Sequence, residues 1–453
     1  MPTYIEPKIL KGFRDFLPPA EMIRRNLTEK IEASFRSFGF VPIDTPALEY
    51  AEILLGKGGG ETEKQIYRFK DNGERDVALR FDLTVPFARF VALHQGELSF
   101  PFKRYHIGKV WRGENTQRGR YREFTQCDFD IIGSDSAAAD FEILLIIRAT
   151  LVSLGTNVSI RVSHRGLFNR FLANIGQQEK SAEVLRAVDK LAKAGTDETR
   201  QSLAAIAGDA NAQKILGFIG ADGADRKETF EQTLDRITEL SGGPSPESQR
   251  LALLRRFMLD AAGDDGSAHD DDSFILDPSI TRGLDYYTGV VFETFLQELP
   301  EIGSICSGGR YDNLAGLYSK NNSSKAAISG VGSSIGLDRM IAALESLDKL
   351  PAAAGFGSVA IACQKQEDSG LYQALADRFR RAGIPCDVFL EEAGSSDSKQ
   401  LVKQFVLAEK KGLRWLVIPG AHPLRDPLTL RDLAARQNRE GLSLEEVKKI
   451  MIQ

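Results

Sequence analysis

Apolar residues recur at spacings of three and four over 21–38, where Leu27, Ile31, Phe35 and Phe38 share one side of a helix and Gly39 follows as a stop. A short strand is expected to run into Thr45-Pro46. Val77, Leu79, Phe81 and Leu83 then alternate with Ala78, Arg80, Asp82 and Thr84, the period of a strand with one apolar and one polar face. That pattern predicts that Asp82 and Thr84 point the same way. Residues 105–111 read as a strand, 112–120 (RGENTQRGR) as a polar connection, and YREFTQCDFDII as the second strand of a hairpin. Alternation puts Arg122, Phe124, Gln126, Asp128 and Asp130 on one face of it.

From 168 to 261 the pattern becomes helical and Ala-rich, interrupted by the loop SGGPSP, which reads as an inserted helical subdomain. Strand-like chain resumes in FILDPSITRGLDYYTGVVFETF. The Gly/Ser-rich SGVGSSIG opens a helix with Leu337, Met340, Ile341 and Leu344 on one face, and PAAAGFG reads as a linker. Beyond it, SVAIAC, PCDVFL and RWLVIPG read as strands separated by helices. A β-α-β-α-β order predicts a mainly parallel sheet in a separate α/β domain of roughly 100 residues.

Composition narrows the class without naming the chemistry. At roughly 100–200 residues per domain, 453 residues imply two to four domains, and 42% hydrophobic with 27% charged residues excludes collagen-like, coiled-coil and disordered chains. The net charge of −5 argues against indiscriminate nucleic-acid binding, so DNA is not an expected partner. No apolar run approaches the roughly 20 residues that span a bilayer, and MPTYIE lacks the features of a signal peptide, so a cytoplasmic protein without membrane association is expected. Cys127, Cys306, Cys363 and Cys386 are scattered, which suggests neither a disulfide framework nor a zinc site.

Two constellations carry candidate chemistry. Asp82, Thr84, Gln126 and Asp130 place acceptors and an amide where strands would otherwise bury apolar side chains, and buried polar groups need partners. Gln126 and Asp130 lie about 13 Å apart along an extended strand, a span that suits a small zwitterion. Arg112, Arg118, Arg120 and Arg122 surround Glu114 and Gln117 in the hairpin loop, and arginine forks suit phosphate. The Gly-rich GKGGGE does not fit a phosphate-cradling P-loop, the five histidines have no ligand spacing, and no G-x-S-x-G elbow is present.

In combination and order these segments resemble the histidyl-tRNA synthetases, a family of class II aminoacyl-tRNA synthetases, over essentially the whole chain. GFRDFLPP and the strand ending at Pro46 look like the family's opening and first class motif, which builds the dimer interface. YHIGKVWRGENTQRGRYREFTQCDFDIIG looks like the second motif and SGVGSSIGLDRM the third, while RGLDYYTG and GGRYDNL resemble two segments peculiar to histidine-specific members. The resemblance implies an α+β catalytic domain on an antiparallel sheet (1–345), interrupted by the helical insertion (168–261), then a linker (346–357) and a C-terminal α/β anticodon-binding domain (358–453).

It also implies the activity: ATP, with Mg²⁺, activates L-histidine to histidyl-adenylate, and the histidyl group passes to the 3′ end of tRNA(His), in a homodimer. Asp82, Leu83, Thr84 and Gln126 would hold the amino-acid end of histidine, Asp130 and Tyr287 would read its imidazole, and Tyr286 would line the pocket. Arg112 would contact both the carboxylate and the α-phosphate, and Arg282 would be the electrophilic catalyst and touch histidine. Glu114, Arg120, Tyr121, Phe124 and Arg339 would bind ATP, and Asn115, Gln117 and Arg118 would meet the tRNA. Many bacterial members carry Glu where this chain has Asp82 and Asp130, so here the acceptors sit about one methylene further back. A histidine-sensing, non-catalytic paralogue would lack the RGLDYYTG segment and the α/β tail, and both are present.

Overall fold

The computed structural model describes residues 4–56, 65–222, 228–262, 273–281, 286–312, 314–318, 328–351, 359–391 and 398–452. Its strands in chain order are β1 (Val41–Pro42), β2 (Leu48–Tyr50), β3 (Arg68–Lys70), β4 (Asp76–Leu79), β5 (Phe102–Trp111), β6 (Glu123–Ile132), β7 (Val158–His164) and β8 (Phe274–Leu276), continuing with β9 (Val290–Leu296), β10 (Cys306–Tyr311), β11 (Gly330–Gly336), β12 (Val359–Ile361), β13 (Cys386–Val388), β14 (Trp415–Ile418), β15 (Leu428–Asp432) and β16 (Gln437–Leu442). Two compact units result, Met1–Asp15 with Leu27–Leu350 and Phe16–Asn26 with Pro351–Gln453. Among the described residues no helix is long and apolar enough to cross a membrane.

The larger unit is built on a sheet of order β1-β5-β6-β11-β10-β9-β7-β8 among the described residues. Neighbours from β5 through β7 run antiparallel, and β1 and β8 add parallel edges. The expected hairpin is β5 against β6, in register from Phe102↔Ile132 to Trp111↔Glu123. Its odd-numbered side chains on β6 are core: Phe129 packs 4.7 Å from Phe35, and Leu27, Ile31 and Phe35 form the buried stripe of the helix Pro18–Ser37. Phe38 lies beyond that helix, half-buried, after which Gly39 turns the chain with φ +79° and Phe40 is buried instead. The even-numbered residues face the other way, toward an open pocket.

The alternation over 77–84 does not make one strand. Strand β4 ends at Leu79, and a helix Thr84–His94 begins five residues later. Asp82 causes the change: its Oδ1 accepts the Val85 amide at 3.2 Å, satisfying one of the first-turn donors that a new helix leaves open, and Pro86 is tolerated in that first turn. Asp82 and Thr84 therefore share a direction through a helix start rather than a pleat. The Gly/Ser-rich lead-in to the helix Leu337–Ser346 is itself a central strand, β11. Glycine is needed there because a Cβ on Gly332 would stand 1.9 Å from Asp130 Oδ1, and one on Gly308 of β10 would stand 2.1 Å from the Gly332 carbonyl.

Between β7 and β8 the chain is helical, from Arg165–Asn174 to Pro246–Ala262. Phe171 stacks on Phe218 at 4.4 Å, and Thr229 with Gln232 forms a reciprocal capping box on the helix Phe230–Leu240. In the smaller unit, β12, β13 and β14 are parallel as expected, but β15 and β16 extend the sheet as an antiparallel hairpin, in the order β13-β12-β14-β15-β16. Tyr372, Leu375 and Phe379 of the helix Ser369–Arg380 bury against it with Leu416 and Leu430.

Gly332→Ala is expected to destabilise the chain by roughly 1–3 kcal/mol, because the methyl group has no room against Asp130 and the Phe129 carbonyl. An unchanged urea midpoint would show that β11 can move away from β6.

Candidate active site

A cavity of about 310 Å³ opens on the sheet face formed by β6, β10 and β11. Its floor is acidic. Asp82, Asp128 and Asp130 all line it and are each at most 2% exposed. The buried guanidinium of Arg104, from β5, lies 2.6 Å through Nη2 from Asp130 Oδ2, and Tyr311 donates to Asp130 Oδ1 at 2.8 Å. Arg104 also sits 4.2 Å over the Phe87 ring and donates to the Leu83 carbonyl at 3.4 Å. Tyr286 donates to Asp82 Oδ2 at 3.2 Å, and the Thr84 hydroxyl to Asp128 Oδ2 at 3.5 Å. Gln126 points its amide nitrogen at Ser334 Oγ, 2.9 Å away.

Desolvation dominates the electrostatics of this floor. Burial raises Asp82 to about 6 and Asp128 to about 7, against the opposing pull of the Arg112 and Arg104 charges and of hydrogen bonds. Asp130 is raised by the same burial, with Arg104 and the Tyr311 hydroxyl pulling the other way. The phenols of Tyr286 and Tyr287 are likewise raised by burial and by the neighbouring charges. Three carboxylates facing one buried cation make a site that favours a cationic guest.

The opposite end is basic and aromatic. Arg112 is held by a bond from Nε to the Phe81 carbonyl at 2.9 Å and lies 5.2 Å from the Phe124 ring. Glu114 sits between Arg112, 3.8 Å away, and Arg120, 3.4 Å away. Arg339 comes from the first turn of Leu337–Ser346 and donates to the Ser304 carbonyl. Burial lowers it to about 10, with Arg120 and Arg112 adding repulsion and Glu114 and Glu293 opposing. Arg14 stacks 3.3 Å over Tyr121 and pairs with buried Asp338, whose second oxygen accepts the Thr125 amide at 2.8 Å. Guanidinium groups and ring faces in this arrangement suit a nucleotide's phosphates and base.

The pocket thus gathers Asp82, Thr84, Arg112, Glu114, Arg120, Tyr121, Phe124, Gln126, Asp130, Tyr286, Tyr287 and Arg339 from the residues singled out in the sequence. Leu83 is not brought to it, since its side chain is fully buried and only its carbonyl serves Arg104. Asn115, Gln117 and Arg118 are exposed in the loop between β5 and β6, where Gln117 and Arg120 close a tight turn. Arg282 lies outside the described residues. Arg104, Asp128 and Tyr311 were not singled out as site residues. Asp128 shared the alternating face, and Tyr311 sat in GGRYDNL without a role. Nothing marked Arg104, because Arg104, Tyr105 and His106 are buried in succession and alternation is silent where both faces are covered.

In fold the chain is a class II aminoacyl-tRNA synthetase, and the crystal structure of histidyl-tRNA synthetase from Nostoc sp. PCC 7120 matches it with a TM-score of 0.80 at 30% identity, covering 99% of each chain. The family model for histidyl-tRNA synthetase matches residues 12–340. A histidine–tRNA ligase of Treponema denticola is 51% identical, over 99% of both chains, and one of Rhodopirellula baltica is 43% identical, over 96% of this chain and 95% of that one. The chain belongs to the histidyl-tRNA synthetase family.

The raised Asp128 has a measurable consequence. A carboxyl with a higher pKa folded than unfolded binds protons more tightly in the folded state, so its contribution to stability is lost as pH rises from about 4 to about 7. Asp128→Asn removes that slope. The melting temperature of the variant relative to the native chain is expected to become more favourable between about pH 5 and about pH 8 in scanning calorimetry. A difference that stays constant over that range would place the carboxyl near its ordinary pKa.

Proposed function

We propose that this chain is a histidine–tRNA ligase. It activates L-histidine with ATP to histidyl-adenylate and pyrophosphate, then transfers histidine to the 3′ end of tRNA(His). The observation that carries this reading is one pocket with an acidic, phenol-lined floor at one end and three arginines with aromatic faces at the other. An imidazole is at once donor and acceptor, and a floor with a carboxylate and phenols meets both needs while leaving groups unpaired for other side chains.

In the first step a carboxylate oxygen of histidine forms a bond to the α-phosphorus of ATP, and the bond from that phosphorus to the bridging oxygen breaks as pyrophosphate leaves. Negative charge grows on the phosphate oxygens between Arg112, Arg120 and Arg339, so preorganised cations stabilise the transition state more than the ground state. The proximity of Phe124 to Arg112 supports a stacked adenine there. Glu114 and Tyr121 belong to the same nucleotide subsite, and Arg282 is assigned to electrophilic catalysis on the strength of the family resemblance. In the second step a ribose hydroxyl of the tRNA attacks the acyl carbon and AMP leaves. Asn115, Gln117 and Arg118 are exposed beside the pocket's basic end, which supports their contact with tRNA.

Mg²⁺ fits as a companion of ATP rather than as a resident ion. No group of three metal-ligating side chains occurs among the described residues, so the phosphates would supply most of its ligands, with Glu114 and Glu293 the carboxylates that face Arg339. Bound there it neutralises phosphate charge. The domain division at 1–345, 168–261 and 358–453, with an anticodon-binding tail, and action in the cytoplasm belong to the same reading. So does a homodimer: Val41, Leu48, Tyr50 and Phe69 on β1, β2 and β3 are between 39% and 50% exposed, an apolar set that a second copy would cover.

Pyrophosphate exchange into ATP is expected with histidine alone among the twenty amino acids, and Arg282→Ala should reduce it at least roughly a hundredfold. Exchange with another amino acid, or none with histidine, would refute the assignment. Sedimentation velocity at micromolar chain should give twice the chain mass; a monomer there would remove the dimer from the reading.

A further inference from the structure

Arg14 stands outside the cavity and holds two residues that line it, Tyr121 and Asp338. Its guanidinium lies 3.3 Å over the centre of the Tyr121 ring and pairs through Nη2 with Asp338 Oδ1. Asp338 is 4% exposed, and a carboxylate so far out of water needs charge or donors on its oxygens. One oxygen meets the guanidinium, and the other accepts the Thr125 amide of β6 at 2.8 Å. A planar guanidinium can cover a ring with its face and pair in its own plane at once, which an ammonium cannot.

The chain ahead of the helix Pro18–Ser37 is shaped to deliver this group. The Gly12 carbonyl accepts the Arg122 amide at 2.9 Å, and Gly12 has φ +88°. A Cβ there would stand 2.7 Å from Arg122 Cγ and 2.9 Å from Thr116 Cγ2, so glycine is what lets residues 11–14 lie against the loop between β5 and β6. Arg122 in turn donates through Nε to the Glu114 carbonyl at 3.2 Å, and its own carbonyl accepts the Arg112 amide at 2.9 Å. On the far side Asp338 directly precedes Arg339 in the first turn of Leu337–Ser346. Arg112 and Arg120 repel Arg339, a force that would part the loop from that helix when no phosphate lies between them. Arg14 bridges the same two elements through Tyr121 and Asp338 and opposes that separation.

We propose that Arg14 is a positioning residue of the nucleotide subsite, acting through Tyr121 and Asp338 to keep the loop 112–122 and the first turn of Leu337–Ser346 at the spacing that receives ATP. This deepens the reading of the pocket as a site for ATP and histidine and rests on it. Its effect falls on ATP rather than on the amino acid, because the acidic floor has a tether of its own in Arg104.

Pyrophosphate exchange with histidine on the full-length chain gives a KM for each substrate. Arg14→Ala should raise the ATP KM roughly tenfold, the scale of one desolvated cation–π contact or charge-assisted hydrogen bond, and leave the histidine KM within about twofold. Arg14→Lys keeps a cation for Asp338 without the planar group over Tyr121, and its ATP KM should fall between those of the native chain and Arg14→Ala. In a Tyr121→Leu background the same Arg14→Ala change should raise the ATP KM by no more than about threefold, since part of its route is already gone. A rise in both KM values together with a lowered melting temperature would make Arg14 a structural residue. An unchanged ATP KM would remove it from the subsite, and an undiminished effect beside Tyr121→Leu would separate it from Tyr121; each of these overturns the proposal. If Arg14→Ala does not fold, Arg14→Lys decides, and a native ATP KM in that variant is the overturning result. A native chain that gives no exchange with histidine would refute the parent reading before any variant is compared.

Discussion

Three carboxylates cannot be drawn out of water into one cavity floor without a counter-charge, and Arg104 is the buried cation on that floor. It sits fully enclosed near the start of β5, holds Asp130 across the hairpin and stands over Phe87, so the register of β5 against β6 and the chemistry of the pocket depend on the same ion pair. Removing one member of such a pair costs several kcal/mol because the other is left buried and unpaired. The glycines of β10 and β11 follow from the same constraint. With Asp130 tethered, only a residue without a Cβ can pass it, and Gly332 is that residue.

The pocket is polarised along its length. Carboxylates and phenols occupy the end under Arg104, and Arg112, Arg120 and Arg339 the end toward the helix Leu337–Ser346. A zwitterion placed between them would turn its ammonium toward the acids and its carboxylate toward the arginines, where an incoming phosphate is also drawn. Such a field would orient a carboxylate nucleophile toward a phosphate before any specific contact is counted, which is how preorganised charge lowers a barrier at little cost at the moment of reaction. Burial works against this polarity, since desolvation disfavours every charge, raising Asp82 and Asp128 and lowering Arg339, and the opposite charges that face each group hold the ionised forms against it.

Much of this was legible in the residue pattern, for uneven reasons. Period-2 alternation placed Phe124, Gln126, Asp128 and Asp130 on one face of β6 because one side of that strand packs on helices and the other meets a cavity. The same alternation brought Asp82 and Thr84 to the site for a wrong reason, since a side-chain cap on Val85 ended the strand that the apolar spacing continued. β11 read as a lead-in to a helix because glycine demanded by a neighbouring strand looks, in sequence, like glycine demanded by a turn. The β15–β16 hairpin was missed because β16 is mostly exposed and carries almost no apolar periodicity. Arg104 was invisible because a charge buried by a partner 26 positions later leaves no local signature.

Asp128 and Asp130 show how little of a residue's role lies in its type or face. They are two residues apart on one strand, point into one cavity and are desolvated alike, yet Asp130 faces a guanidinium and a phenol while Asp128 faces the neutral hydroxyls of Thr84 and Ser334. A carboxylate whose oxygens are both engaged holds the protein together, and its loss disturbs the fold first. One held only by neutral hydroxyls recovers less of its desolvation cost, and its pKa rises accordingly. Sorting the floor by whether each carboxylate faces a cation or a neutral hydroxyl therefore distinguishes its members more sharply than proximity to the cavity does.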